Sequence, residues 1–129
     1  MKHYHYLGHA DEIVPKDVTH ITVHPDARLI RKRAFLNCIY LVSIICHNQV
    51  TRIEEEAFAW CLSLRYVRLS LTLEFIGTMA FYECTGLKGL FIPQSVKTIE
   101  NQSFQHCYTL RLMLVPTGSD DVVDLGLGL

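Results

Sequence analysis

Apolar and polar positions along this chain recur on a 23-residue cycle. The pairs Ala34-Phe35, Ala57-Phe58, Ala80-Phe81 and Ser103-Phe104 keep that spacing without insertion or deletion. Each is followed three residues on by a cysteine (Cys38, Cys61, Cys84, Cys107), and three further on by a leucine (Leu41, Leu64, Leu87, Leu110). Two more apolar columns run Ile21, Ile44, Val67, Leu90, Met113 and Val23, Cys46, Leu69, Ile92, Val115, two residues apart within each row. A separation of two puts both side chains on one face of an extended segment, so each row contributes a short strand with one side toward a core. Columns that keep their residue type from row to row mean that each row is one unit stacked on the next, which is a solenoid.

His47, Ser70, Pro93 and Pro116 follow the strand columns, and then come the apolar columns Ala27, Val50, Leu73, Val96 and Ile30, Ile53, Ile76, Ile99. Proline lacks an amide hydrogen and fixes its own φ, so this position marks the bend that ends the strand. The three-and-three spacing of Phe, Cys and Leu predicts a single helical or 3-10 turn with those side chains on one side. The expected fold is an α/β solenoid of about four to five coils, with short parallel strands on one face and helical or 3-10 turns on the other. A helical bundle is excluded because no apolar 3.6-residue period runs beyond about two turns. Residues 1–17 break the phase and are expected to form an N-terminal cap or arm. Residues 18–116 form the solenoid, and 117–129 a partial last coil and flexible tail, with Val122 still in the Ile99 column.

The row Ile-x-x-x-Ala-Phe-x-x-Cys-x-x-Leu-x-x-Ile/Val-x-Ile/Leu-Pro, nearest to its ideal from Leu87 to Val115, resembles the repeat of the BspA-like leucine-rich-repeat family. The resemblance covers residues 18 to 116. It implies a right-handed leucine-rich-repeat stack, used mainly in surface, secreted or host-contacting proteins that bind other proteins. His47 and Ser70 stand where the family repeat has proline.

Composition narrows the function without naming it. Of 129 residues, 50% are hydrophobic and 19% charged, enough apolar content to fill a core. The net charge of −1 gives no global attraction to nucleic acid or to an anionic membrane. No stretch reaches the roughly 18 apolar residues of a membrane span, and Met1 to Val14 carries histidine and acidic residues where a signal peptide needs an apolar run. A cytoplasmic location is therefore expected, against the surface or secreted location that the resemblance implies. The five cysteines are odd in number, and four are equivalent in phase, which reads as buried free thiols. Equivalent residues on adjacent coils lie about 5 Å apart, a distance that disulfides also accept, so both states remain open at this stage.

The outward rows of the strands hold the candidate binding residues: Ile45, Tyr66, Arg68, Phe91, Leu112 and Leu114. Tyr, Phe and Arg are the types that dominate protein interface energetics, although strand propensity alone also favours aromatic and β-branched residues. The expected function is binding of a protein or peptide on this face. The alternative is a structural unit of a longer array that associates end to end through its exposed coils. Arg31-Lys32-Arg33 precedes Glu54-Glu55-Glu56 by one period, so the two triplets are expected to pair between coils rather than to form a nucleic-acid patch. His24 and His47 share a column, and His3, His5 and His9 crowd the start, but neither group has the spacing of a metal site. Nucleophile elbow, phosphate-cradling glycine loop and paired carboxylates are all missing, so neither a catalytic residue nor a cofactor is expected. Asn101-Gln102-Ser103 fits a glycosylation acceptor, but Ser103 occupies the small buried column and the match reads as chance.

Overall fold

The computed structural model describes residues 1–110 and 112–114. In chain order its strands are β1 His3–Tyr6, β2 His20–Val23, β3 Leu29–Ile30, β4 Ser43–Ile45, β5 Arg52–Ile53, β6 Tyr66–Arg68, β7 Phe75–Ile76, β8 Gly89–Phe91, β9 Thr98–Ile99 and β10 Leu112–Leu114. They form parallel sheets ordered β1-β2-β4-β6, β8-β10 and β3-β5-β7-β9. The register follows the sequence period, with Ile21 opposite Ile44 and Ile44 opposite Val67 on one sheet, and Ile30, Ile53, Ile76 and Ile99 aligned on the other. The partial last coil and tail expected at 117–129 lie outside the described residues.

The expected helical or 3-10 turns are not present; among the described residues the Phe-to-Leu segments are chains of separate hydrogen-bonded turns. In the first, Ala34 N donates to Arg31 O at 3.1 Å and Cys38 N to Phe35 O at 3.1 Å. Between them, Arg33 N, Phe35 N and Asn37 N reach across to Glu55 O, Ala57 O and Ala59 O of the next coil at 2.8–3.0 Å. This alternation requires left-handed residues, here Arg33 (φ 58°) and Asn37 (φ 62°), and it recurs at Glu56 and Trp60, Met79 and Glu83, Gln102 and His106. A left-handed residue with a Cβ costs about 1–2 kcal/mol and stops a right-handed helix. The amides it frees make a third ladder between coils, which offsets that cost. The three-residue spacing that reads as one helical turn is equally the spacing of successive turns.

Three ladders thus enclose one core. Phe35, Phe58, Phe81 and Phe104 stack with ring centroids 5.1, 5.1 and 5.2 Å apart, close to the separation of paired strands. The column cysteines are buried free thiols, and Cys61, Cys84 and Cys107 donate through Sγ to Phe35 O, Phe58 O and Phe81 O at 3.1–3.2 Å. A small side chain with a weak donor is what this slot accommodates. Burial pushes the Cys46 thiol up to about 12 and those of Cys61 and Cys84 higher than their ordinary value, which leaves them without nucleophilic thiolate at neutral pH.

At the N-terminal end β1 pairs with β2 at an offset of 17, His3 opposite His20, so this coil is shorter than the rest. Tyr6 takes the place of a column phenylalanine: its ring lies 5.0 Å from that of Phe35, and its hydroxyl accepts from Arg31 N at 3.1 Å. Glu12 fixes the loop that follows, accepting from Leu7 N at 2.9 Å, Gly8 N at 2.7 Å, His9 N at 3.2 Å and the Tyr4 hydroxyl at 2.6 Å. Burial works to raise the Glu12 pKa, but these donors outweigh it and hold the carboxyl below its ordinary value of 4.5. Burial first, and the bond to Glu12 next, push the Tyr4 hydroxyl up to about 12.

A carboxyl lowered by folding stabilises the native state above its ordinary pKa, and that stability disappears as pH falls through the folded value. Glu12→Gln turns an acceptor into a donor facing an N–H, and should cost about 1–2 kcal/mol at neutral pH. The gap between thermal melts of the two proteins should close as pH falls below 4.5 and through the lowered folded value, since protonation removes the same acceptor. A gap that persists undiminished into acid would show that the carboxylate charge is not what holds the loop.

Candidate binding surface

The outward side chains of β1, β2, β4, β6 and β8 form one face. Tyr66 is 67% exposed, Phe91 54% and Ile45 48%, and Arg68 is exposed beside them. Leu112 and Leu114 lie on β10 in register with Gly89 and Phe91, and their side chains fall outside what is described. The period of two therefore brings Ile45, Tyr66, Arg68 and Phe91 to one surface. Ile45 stands directly opposite Arg68 in the β4–β6 ladder.

The face is not flat. A hollow of about 450 Å³ lies over β4 and β6, lined by the side chains of His20, Ile45, Arg65, Tyr66 and Arg68 with half-buried Val67 beneath, and reaching Gly89. A second, of about 340 Å³, adjoins it and shares Ile45 and Arg68. The hollow has a backbone cause. The ladder that runs β1-β2-β4-β6 stops there, and β8 pairs with β10 instead. Val67 is half-buried, whereas Ile21, Ile44 and Leu90 in its column are buried. Spacing alone predicts a continuous ladder, so neither the break nor the hollow is visible in the sequence.

Charge on this face is one-sided. Arg65, Arg68 and Lys88 are exposed, and among the described residues none has a carboxylate within ion-pairing distance. No Asp or Glu lines either hollow. The acidic residues sit on the turns instead. There Lys32 pairs with Glu55 at 3.0 Å and Arg33 with Glu56 at 3.1 Å, as the two triplets predict. The third expected pair does not form: Arg31 Nε donates to Gly8 O at 2.7 Å, and Glu54 accepts from Arg52 at 2.9 Å. The shorter first coil brings Gly8 to Arg31 and competes with Glu54.

The histidine column has a structural role that spacing does not reveal. His24 Nδ1 accepts from Asp26 N and His47 Nδ1 from Gln49 N, each at 3.0 Å, and Ser70 Oγ accepts from Thr72 N at 3.2 Å. Each side chain closes the bend after its strand, where Pro93 does so by its ring. Among the described residues no three His, Cys, Asp or Glu side chains come close enough together to hold a metal ion. Ser103 is buried, and its hydroxyl donates to Gly77 O at 2.9 Å, which accounts for a small polar residue in this column. A further cluster escapes column reading because Tyr82 and Tyr108 lie outside the phase that Trp60 and His106 share: the four meet on the turn side with ring centroids 5.3–5.7 Å apart. There Glu83 lies 2.6 Å from His106 Nδ1.

The repeated parallel rungs and the column phenylalanines match a family model for the BspA-type leucine-rich-repeat region, six copies over residues 15–122. The chain belongs to this family. Among solved structures, the leucine-rich-repeat protein of T. pallidum superposes with a TM-score of 0.68 at 22% identity, over 84% of this chain and 56% of its own. A leucine-rich cell surface protein of Faecalibacterium prausnitzii gives 0.69 at 22% identity, over 84% of this chain and 35% of its own. A leucine-rich-repeat protein of Bacteroides capillosus gives 0.60 at 30% identity, over 77% and 64%. This member of the family thus spans about half or less of the first two relatives' lengths. No curated protein matches it. No helix among its described residues is long and apolar enough to cross a membrane.

Proposed function

We propose that this leucine-rich-repeat chain is a protein-interaction module, without catalysis of its own, that binds a protein or peptide across its strand face. Ile45, Tyr66, Arg68 and Phe91 make the contact, extended by Leu112 and Leu114 on β10. One observation carries the reading: the residue types that anchor interfaces are exposed on a single rigid face around a hollow with an apolar floor. Residues 1–17 serve as the N-terminal cap of a right-handed stack of four to five coils spanning 18–116. The name of the Faecalibacterium relative favours the cell surface, and fractionation of the native host tests this.

Capture from a native lysate with crosslink mapping tests the site. Crosslinks should map to the strand face, and Tyr66→Ala with Phe91→Ala should weaken capture by at least about 30-fold, the loss expected when an interface anchor worth about 2 kcal/mol is truncated. The melting temperature should stay within about 2 °C of wild type, because exposed side chains contribute little to folding. Undiminished capture by the double variant would move the site elsewhere. The second reading, a structural unit that associates through its ends, rests on β1, which has a strand partner on one side only among the described residues. Oligomers that grow with concentration in sedimentation and ignore the Tyr66 and Phe91 substitutions would favour it.

A further inference from the structure

Three of the four described glycines are required by the fold. Gly8 has φ +84°, in the left-handed region. A Cβ at Gly77 would lie 2.8 Å from Glu55 N, and one at Gly86 2.8 Å from Leu62 O. Gly89 differs from all of these. It has no left-handed φ, and a Cβ there would meet nothing within 4 Å. It is the first residue of strand β8, where glycine weakens the strand through backbone entropy and lost packing. Its row-mates His20, Ser43 and Tyr66 all carry side chains. The fold gains nothing from this glycine, and the space it leaves opens into the hollow beside Tyr66.

We infer that the strand face takes an extended acidic peptide, which seats an apolar side chain over Gly89 while its carboxylates meet Arg65, Arg68 and Lys88. The inference rests on the strand-face reading above and specifies its ligand. Arg65 and Arg68 line the hollow that reaches Gly89, and Lys88 precedes Gly89 in the chain; all three are exposed and lack carboxylate partners among the described residues. In a chain whose net charge is −1, a surface without a lining carboxylate is a local positive field that selects for the opposite sign. The hollow offers apolar surface from Ile45 and from Val67, which is only half covered. A phosphate backbone has no group to place there, whereas an aliphatic side chain does, and that decides for peptide over nucleic acid. Tyr66 lines the seat, and Phe91 follows Gly89 by two residues on the same outward face, where a bound peptide would cover both rings.

The test uses a short fluorescein-labelled peptide with one leucine between two pairs of glutamates, followed by fluorescence anisotropy. A version with lysine for each glutamate and a single-stranded oligonucleotide serve as comparisons. The acidic peptide should bind at least about 10-fold more tightly than the lysine version, with affinity falling as salt rises. Arg65→Glu with Arg68→Glu should weaken it by at least about 10-fold. Gly89→Val, which fills the seat without steric conflict, should do the same at an unchanged or higher melting temperature. Equal binding of both peptides, lost in Tyr66→Ala, would overturn the acidic ligand and leave the strand-face reading standing. Preference for the oligonucleotide, no binding of the acidic peptide, or full binding by Gly89→Val would each overturn the inference.

Discussion

Phe58→Ala should lower the stability of this chain by about 3–5 kcal/mol, the range for deleting a buried phenylalanine side chain. Phe58 is 1% exposed and lies 5.1 Å from the rings of both Phe35 and Phe81, nearly parallel to the second at 8°. Its removal opens a cavity facing two coils at once, and turn-ladder hydrogen bonds hold those coils at a fixed spacing, so the gap cannot collapse. Domains of this size are stable by about 5–15 kcal/mol, so the loss is a large fraction of the whole. In a solenoid it falls on nearest-neighbour coupling, and the coils on either side should begin to melt separately. Calorimetry should show a midpoint lowered by about 10–20 °C and a broadened transition. Tyr66→Ala, similar in volume removed but 67% exposed, should cost under about 0.5 kcal/mol. A loss below about 1 kcal/mol for Phe58→Ala would mean that the ring stack is not what couples the coils.

That contrast also explains how much of the molecule the sequence discloses. Buried columns are legible because burial restricts the residue types that fit, so Phe35 to Phe104 and Ile30 to Ile99 repeat visibly and specify the parallel rungs and their register. The turn backbone is less legible. Its left-handed positions are filled by Arg33, Asn37, Glu56, Trp60, Met79, Glu83, Gln102 and His106, with no glycine to announce them, and the same spacing reads as a helix. Tyr6 closes the phenylalanine column from an offset of 17, out of phase with every later row. On the strand face, alternation places Ile45, Tyr66, Arg68 and Phe91 outward. The hollow beside them depends on a missing ladder between β6 and β8, which no residue type encodes. Ion pairing is intermediate: Lys32–Glu55 and Arg33–Glu56 follow from the period, while Arg31 is drawn off by the carbonyl of Gly8.

Gly77→Ala should be the most damaging one-methyl change among the described glycines outside the left-handed Gly8, costing about 1–3 kcal/mol. Its added carbon would stand 2.8 Å from Glu55 N, 2.9 Å from Glu54 C and 3.2 Å from Ile53 O, all backbone of the preceding coil. A side chain can rotate away, but backbone can yield only by parting the coils. Those coils are joined at this point by the hydrogen bond from Gly77 N to Ile53 O at 2.8 Å. The carbonyl of Gly77 also accepts from Ser103 Oγ at 2.9 Å, so a shift here disturbs the next coil as well. Arg31, Glu54 and Glu100 occupy the same phase and carry a Cβ, which shows that a slightly wider spacing is accessible and keeps the cost within a few kcal/mol. Gly89→Ala adds the same methyl to a strand with open space above it and should leave the melting temperature unchanged or raise it, by up to about 1 kcal/mol in stability. Paired thermal melts read both at once. Equal shifts for the two alanines would break the link between coil spacing at Gly77 and free space at Gly89, and with it the case that Gly89 is kept open for a ligand.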